Sequence, residues 1–449
     1  MEIRDPIHGL INYDSTEEKL INSAVFQRLR NIKQLALASY VYPGAHHTRF
    51  EHCIGTMHLA SRVAKANKVN LNDDEVRIVR LAALLHDIGH GPYSHVSEQI
   101  LEKHSGDLLK KHKAENAHEL ISILIILKHP AIKSILGSDT IEIAKLLQTG
   151  KRSVEKDIVS GPLDVDKLDY IQRDSYFAGV HYGIFDLDKV IESFMPVTIG
   201  TDTATLGITE EGLHAVEQLL LAKYHMNVQV YTHRIRRITD AMLVRGIESA
   251  YQEGLKEVKN IFDISDSKNF LENYINYNDD ILARIILTQS KGHAYQFFRR
   301  IVDRKLLKEV FCVNIDASAF GDPVILNNIA HLNAEQESKI AKKAAKLYSN
   351  NRDRIETEMV IVDKQTISNP TFKSPGVKID SNTIMVQTKQ GRELFPSIST
   401  IFKNSGVDPV TNSLSIYLPL DSINNREERI SFIEKRMSKM KEAIEEIVK

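Results

Sequence analysis

Residues 84–95, "LLHDIGHGPYSH", crowd three histidines, one aspartate and two glycines behind an apolar run. His86 and Asp87 are adjacent, and His90 lies one helical turn beyond His86. Neutral imidazole nitrogen and carboxylate oxygen are both donors for a borderline divalent ion. A buried helix ending in this pair would hold both donors at a rigid, partly dry site. Taken alone, the pair reads first as a helix C-terminus: Gly89 and Gly91-Pro92 stop the helix, and histidine suits the negative end of its dipole. Two other segments shift that balance. "HHTRFEHCIGT" supplies His52 at the start of an amphipathic helix, beside Arg49. "DVDKLDYIQRD" supplies Asp166, with Tyr170 and Asp174 at i+4 and i+8 on the same face. Val165, Leu168 and Ile171 fill the opposite positions. Left unpaired in a core, that acidic and aromatic face would be costly. A bound cation, together with Lys167 and Arg173, would offset the cost.

The elements that must position these groups are mostly helical from about residue 16 to 350. "TEEKLINSAVFQRLRNIKQLAL", "RFEHCIGTMHLASRVAKAN" and "DDEVRIVRLAALLHDIGH" carry apolar residues at three- and four-residue spacing. The third is almost wholly apolar around 81–85, as a central buried helix would be. "GPLDVDKLDYIQRDSYFAG" is bracketed by Gly-Pro and Gly, which predicts a further helix. "MPVTIGTDTATLGITEEG" predicts a short hairpin turning at Gly-Thr-Asp, followed by a long helix over about 210–252. On that helix Lys223, Asn227, Tyr231 and Arg234 form a polar stripe at i, i+4, i+8 and i+11, a pattern that usually means a solvated face. Beyond it, "EMVIVDK", "TIMVQTK" and "SLSIYLPL" are short β-like runs between Asn-, Ser-, Gly- and Pro-rich segments, and "REERISFIEKRMSKMKEAIEEIV" closes the chain as a charged helix. The expected fold is mainly α, with a helical domain over 1–305 and a smaller α+β region over 306–449.

Composition narrows the function classes. A chain of 449 residues, 42% apolar, can bury a sizeable core in two or three packed parts. With 58 basic against 59 acidic side chains, no global field favours nucleic acid or an anionic membrane. Any phosphate site must be a local cluster, for which Arg49, Lys167, Lys223 and Arg234 are the candidates. Two cysteines, Cys53 and Cys312, make no disulfide framework, so a reducing cytoplasm is the default compartment. The first residues lack the basic and apolar regions of a secretory leader. No apolar run approaches the roughly 18–20 residues of a membrane span.

The ordered set His52, His86-Asp87, Asp166 is the H…HD…D signature of the HD phosphohydrolase superfamily. "DPIHG", "FQRLRNIKQL", "YPGAHHTRFEH", "LLHDIGHGPYSH" and "DVDKLDYIQRD", in this order, resemble the deoxynucleoside triphosphate triphosphohydrolases, a group with sterile-alpha-motif/HD enzymes and bacterial dGTPase-like relatives. The resemblance covers about residues 3–240. It implies an HD-domain helical bundle with its core over about 45–175 and one divalent ion held by His52, His86, Asp87 and Asp166. The ligand types do not choose among Fe, Mn, Zn, Ni and Mg. His118, in "NAHELISIL", matches the family's catalytic histidine; from the residues alone it reads as an exposed helix position after a polar linker. Glu98 stands where the orienting carboxylate is normally aspartate, and His90 and His95 match residues lining the α-phosphate pocket. Lys223, arginine in better-known members, and Arg234 match β/γ-phosphate contacts. Gln34 and Leu35 match the sugar-reading pair, Tyr170 would complete the wall against ribose, and Tyr231 would pack on the base; Asp174 joins this substrate set.

The resemblance further implies dNTP substrates, a homo-oligomer (tetramer or dimer), and in many members a dNTP or GTP activator between subunits. Gln27 and Arg30 match guanine-site residues, while Asn22 replaces an aspartate that reads guanine; from the residues alone, Gln27 and Arg30 serve a helix–helix interface. The implied reaction is hydrolysis of a dNTP to deoxynucleoside and inorganic triphosphate. The alternatives are another HD phosphohydrolase (nucleotidase, phosphodiesterase or nuclease) and a nucleotide sensor.

Overall fold

A computed structural model of the chain describes residues 1–199, 203–315, 322–351, 354–367, 383–402 and 411–449. It is mainly α, with a smaller region of mixed helix and strand toward the C-terminus. Three helices form the frame of the site. Arg49–Ala64 opens with a capping box in which the Thr48 side chain meets the Glu51 backbone and Glu51 answers the Thr48 backbone. Asp73–Leu85 opens with the same device from Asn72 and Glu75, carries three acids in its first turn where the dipole favours them, and stops at His86. Val165–Ala178 is capped by Asp164 and ends on Gly179, whose φ of 70° is the left-handed conformation that glycine takes without penalty. Arg49–Ala64 packs against both of the others, and its Cys53, Met57, Ala60 and Val63 are fully buried.

Two expected helices are broken. The segment 16–37 splits into Ser15–Ile21, Ala24–Gln27 and the 3-10 turn Arg28–Asn31. Ser23 makes the break: its hydroxyl donates to Leu20 O at 2.6 Å and accepts from Phe26 N at 3.3 Å, ending one helix and starting the next. The stretch 210–252 becomes Leu213–Met226, a π-turn Asn227–Tyr231, and Arg234–Gln252. The stripe from Lys223 to Arg234 therefore does not share one helical face.

The hairpin is present as Phe194–Ile199 antiparallel to Thr203–Thr209; its Gly-Thr-Asp turn, residues 200–202, lies outside the described residues. Thr203–Thr209 pairs in parallel with Met385–Thr388, which pairs with Gly391–Leu394. The other β-like runs join a separate antiparallel sheet, in the order Lys308–Asn314, Thr411–Leu418, Ile361–Ile367.

The described residues form two compact units. The first gathers those within Met1–Arg236, Lys256–Arg284 and Pro370–Val407; the second those within Arg237–Leu255, Ile285–Asn369 and Asp408–Lys449. The chain interleaves them, whereas composition alone suggests one boundary after residue 305. Strand 385–388 explains much of the difference, because its partner lies in the hairpin at 203–209. In the second unit Ile340, Tyr348, Leu414, Ile416 and Ile444 share a core beneath the helix Arg426–Val448. No single described helix is long and apolar enough to cross a membrane.

Candidate metal centre and active site

His52, on the first turn of Arg49–Ala64, His86, at the end of Asp73–Leu85, and Asp166, on the first turn of Val165–Ala178, bring one ligand atom each within 4.8 Å of one another. Each histidine is fixed from behind. His52 Nδ1 lies 2.8 Å from Asp169 Oδ2, and His86 Nδ1 donates to Ala83 O at 2.7 Å. A ring held through Nδ1–H presents the Nε2 lone pair, the form a metal ligand needs. Both Nε2 atoms are buried and have no hydrogen-bond partner among the described residues. Asp166 Oδ1 stands 3.0 Å from His52 Nε2 and 3.7 Å from His86 Nε2. Asp87 adds Oδ2 at 3.5 Å from His52 Nε2 and Oδ1 at 3.4 Å from His86 Nε2. Two orphaned imidazole nitrogens facing two carboxylates fit a divalent cation. The potential there is strongly negative: burial works against charge on His52, yet Asp166 and Asp169 push its pKa up to about 10. Burial likewise opposes ionisation of Asp87 and Asp166, but Arg49 with His86 and His90 holds the first, and His52 with His86 the second, well below the usual carboxylate range.

Asp169 is the residue that sequence reasoning missed. Besides His52 it holds His8 Nε2 at 2.7 Å and both arms of Arg173, whose third nitrogen reaches Asp5 at 2.8 Å. Arg173 thus serves this buried network rather than the acidic face expected of it. Gly55 is required here: a Cβ would run into the Asp169 carboxylate and the Arg173 guanidinium. The Asp169–Arg173 spacing of four residues was the available signal.

A second histidine group adjoins the first. Glu98 binds His118 Nδ1 with one oxygen and His95 Nδ1 with the other, the latter at 2.8 Å. His118 stacks on His90 with centroids 4.0 Å apart and planes 15° from parallel. His90, His95 and His118 also bring nitrogens within 4.8 Å of one another. Stacked rings, however, send their in-plane lone pairs side by side rather than onto one ion. This group is better suited to handling protons and anions. Burial opposes charge on His118, but Glu98 raises its pKa. Burial, with Arg49 and His118, holds His90 well below the usual histidine range.

Both groups border a cavity of about 570 Å³. Of the residues singled out from sequence, Gln34, Leu35, Arg49, His86, Asp87, His95, His118, Asp166, Lys167, Tyr170, Asp174 and Tyr231 line it. His52 and His90 lie buried, at 0% and 1% exposure, and Glu98 acts through the two histidines it holds. Leu35 packs with Tyr231, and Tyr170 meets Tyr231 edge-on at 6.3 Å. Asp174 joins the Tyr231 hydroxyl at 2.7 Å to His47 Nε2 at 2.8 Å, so His47 is a further missed support. Lys167 Nζ is taken by Asp164 Oδ2 at 2.5 Å and donates to Gly161 O at 3.0 Å. Lys223 is partly buried; desolvation and the charge of Lys167 lower its pKa to about 8. Arg234 is exposed, and neither it nor Lys223 lines the cavity. Arg236 does, with its guanidinium 5.4 Å from the Tyr231 ring centroid. The π-turn displaced the register, and with it the expected arginine. Glu115, Asn116 and Glu119 also line the cavity unforeseen. Gln27, Arg30 and Asn22 stand elsewhere: Asn22 caps Ser15–Ile21, Gln27 donates to Ile21 O at 2.7 Å, and Arg30 lies over Phe50 while donating to Gln27.

Comparison with known proteins agrees with this geometry. Residues 49–174 match the HD domain and residues 186–405 the HD associated region. The chain is 38% identical over 264 residues to MJ1154 of Methanocaldococcus jannaschii, an alignment covering 59% of this chain and 53% of that protein, so it spans about half of that relative's length. It is 30% identical over 367 residues to the deoxynucleoside triphosphate triphosphohydrolase SAMHD1 homolog of Dictyostelium discoideum, covering 77% of this chain and 67% of that one. A hypothetical protein from Aquifex aeolicus, known from its crystal structure, superposes with a TM-score of 0.68 at 25% identity over 99% of both chains. A metal-ready H…HD…D site on three helices, inside a chain that aligns in this way, has one reading: the protein belongs to the HD-domain phosphohydrolase family.

Proposed function

We propose that the protein is a metal-dependent dNTP triphosphohydrolase that cleaves a dNTP to deoxynucleoside and inorganic triphosphate. What supports the reading is the single cavity shared by the metal-ligand set and the wall of Gln34, Leu35, Tyr170 and Tyr231. A divalent cation held by His52, His86, Asp87 and Asp166 would supply charge for a phosphoryl oxygen and acidify a water. The chain's own groups do the rest. Arg49 spends Nη1 on Asp87 and Nε on Ser94, and its buried Nη2, without a partner among the described residues, is the arm assigned to an α-phosphate oxygen. His90 and His95 border that oxygen. His118, whose pKa Glu98 raises against burial, gives its proton to the departing 5′ oxygen. Lys223 and Arg236 take the outer phosphates. Gln34, whose Oε1 is buried without a partner among the described residues, meets the 3′-hydroxyl, while Leu35 and the Tyr170 ring wall off the 2′ carbon. The same reading includes a homo-oligomer and a nucleotide activator at Gln27 and Arg30. Its test is incubation of the pure protein with Mn²⁺ and each dNTP, alone and mixed, followed by anion-exchange chromatography. Triphosphate is the expected product; pyrophosphate or single phosphates would overturn the assignment.

One observation favours a second reading. Lys167 is already neutralised by Asp164, and neither Lys223 nor Arg234 lines the cavity, which leaves fewer cations for the outer phosphates. A nucleoside monophosphate would need none of them. Activity indifferent to Lys223→Ala and Arg236→Ala, and faster on dNMP than dNTP, would favour that substrate.

A further inference from the structure

Asp279 opens the helix Asp279–Gln289 but does not cap it. Asn278 does, accepting from Ile281 N at 3.0 Å through its side chain and from Leu282 N at 3.0 Å through its carbonyl. Asp279 is instead buried, 3% exposed, and points at two distant backbone amides. Its Oδ1 accepts from Tyr93 N at 2.6 Å and its Oδ2 from Lys33 N at 3.1 Å. Ser94 completes a ring by donating from Oγ to Lys33 O at 2.7 Å, and the same Oγ accepts from Arg49 Nε at 3.0 Å. Tyr93 and Ser94 both sit at positive φ, 63° and 54°, which non-glycine residues adopt only when their surroundings dictate it. Two other segments of the same chain add fastenings. Tyr274 donates its hydroxyl to Gly89 O at 2.8 Å, and Arg28 bridges Ile88 O at 2.8 Å and Tyr277 O at 3.3 Å. A Cβ on Gly91 would come within 2.8 Å of the Tyr274 hydroxyl.

We propose that Asp279 is a positioning residue of the active site: it ties the turn Tyr93–Ser94 to Lys33, and so sets His95 and Arg49 on one side of the cavity against Gln34 on the other. The roles it positions rest on the triphosphohydrolase reading; the tie itself does not. Burial pushes Asp279 up to about 6, against the two amides and Lys33. Asp280 and Tyr93 also face it, and Arg28 lies within its field. The fold therefore keeps a carboxylate whose ionisation it disfavours, at a point where only the ionised form accepts two N–H groups cleanly. Because its folded pKa exceeds the unfolded value, its ionisation subtracts stability as pH rises through about 6. A residue retained only for stability would not behave so.

Asp279→Asn is the test, read three ways on the metal-loaded protein. Metal per chain should stay at the wild-type value, since Asp279 touches no ligand. Hydrogen-exchange protection of the Tyr93 and Lys33 amides should fall about tenfold or more. Turnover of whichever nucleotide the wild type hydrolyses should fall about 10–100-fold, as a misplacement of ångström scale costs. In the wild type that protection should weaken as pH drops through about 6, and in the variant it should not vary. Wild-type protection in Asp279→Asn, or a turnover loss that merely tracks metal loss, would overturn the proposal. Exchange and metal content need no substrate, so a wild type that releases no triphosphate would sink the functional reading and leave this test standing. If Asp279→Asn does not fold, Ser94→Ala serves: turnover should fall while both amides stay protected, and unchanged turnover would overturn the proposal.

Discussion

The two histidine groups beside the cavity share one device and aim their rings differently. Each has a carboxylate that holds an imidazole by Nδ1: Asp169 for His52, and Glu98 for His118 and His95. In the first group the rings of His52 and His86 cross at 73° with centroids 5.2 Å apart, so their planes meet and both Nε2 lone pairs can reach one point. In the second, His90 and His118 lie 15° from parallel at 4.0 Å, and their planes never meet within reach. Two carboxylates, Asp87 and Asp166, face the first pair, whereas the second set is three histidines of which His95 alone crosses the stacked rings, at 87° and 79°. That orientation follows from where each residue sits. His52, His86 and Asp166 come from the ends of three helices, the first of which packs on the other two, whereas His90 sits in the glycine turn and lies flat on a residue of Ala117–Lys128.

The comparison breaks most sharply at Asp166. Asp166→Asn should remove nearly all bound metal, measured by elemental analysis, and lower activity by about 10³-fold or more, since several kcal/mol of charge stabilisation go with it. Full metal occupancy in that variant would mean that the second group holds an ion after all. His118→Gln is the converse: metal unchanged, kcat down by roughly 10²–10⁴ as expected for loss of a general acid. Metal loss there would erase the distinction between the groups.

The two orienting carboxylates sharpen it. Asp169→Asn should weaken metal binding about 10–100-fold, read by competition with a chelator, because the His52 tautomer is no longer fixed. Glu98→Gln should leave metal affinity alone and act on the proton. The Glu98 charge raises His118, so its loss lowers that pKa, and the alkaline limb of kcat moves to lower pH with a roughly tenfold loss at neutral pH. A variant of Glu98 that sheds metal, or one of Asp169 that only shifts the pH profile, would reverse the assignments.

The first group was legible in the chain and much of the rim was not, for physical reasons. His52 and His86-Asp87 sit at the ends of helices whose three- and four-residue apolar spacing the sequence shows, and Asp166 on one whose closing glycine it marks. The support behind them joins residues 161 and 168 positions apart, His8 to Asp169 and Asp5 to Arg173, and no local spacing records that. The break at Asn227–Tyr231 contains neither glycine nor proline, so periodicity ran through it as one helix, while the resemblance pointed to Arg234 and Arg236 is the arginine that lines the cavity. The interleaved units hide for the same reason, since the parallel pairing of 203–209 with 385–388 is a contact without a local mark.

The smallest expected effect lies at Lys223, which does not line the cavity but feels the charges of Lys167, Asp164 and Asp166 that do. Desolvation and the neighbouring Lys167 lower its pKa to about 8, while Asp164 and Asp166 pull the other way. Only the charged form attracts an outer phosphate, so KM for a dNTP should rise about threefold between pH 7 and 9 as the lysine loses its proton. Lys223→Arg keeps the charge throughout that range and adds a second donor arm, so its KM should stay flat and no higher than wild type at pH 7. Metal content and the kcat limb set by His118 should be the same in both proteins. If KM of the arginine variant climbed with pH as the wild type does, the titrating group would lie among the histidines, and the rim would owe its affinity to the second group rather than to its own cations.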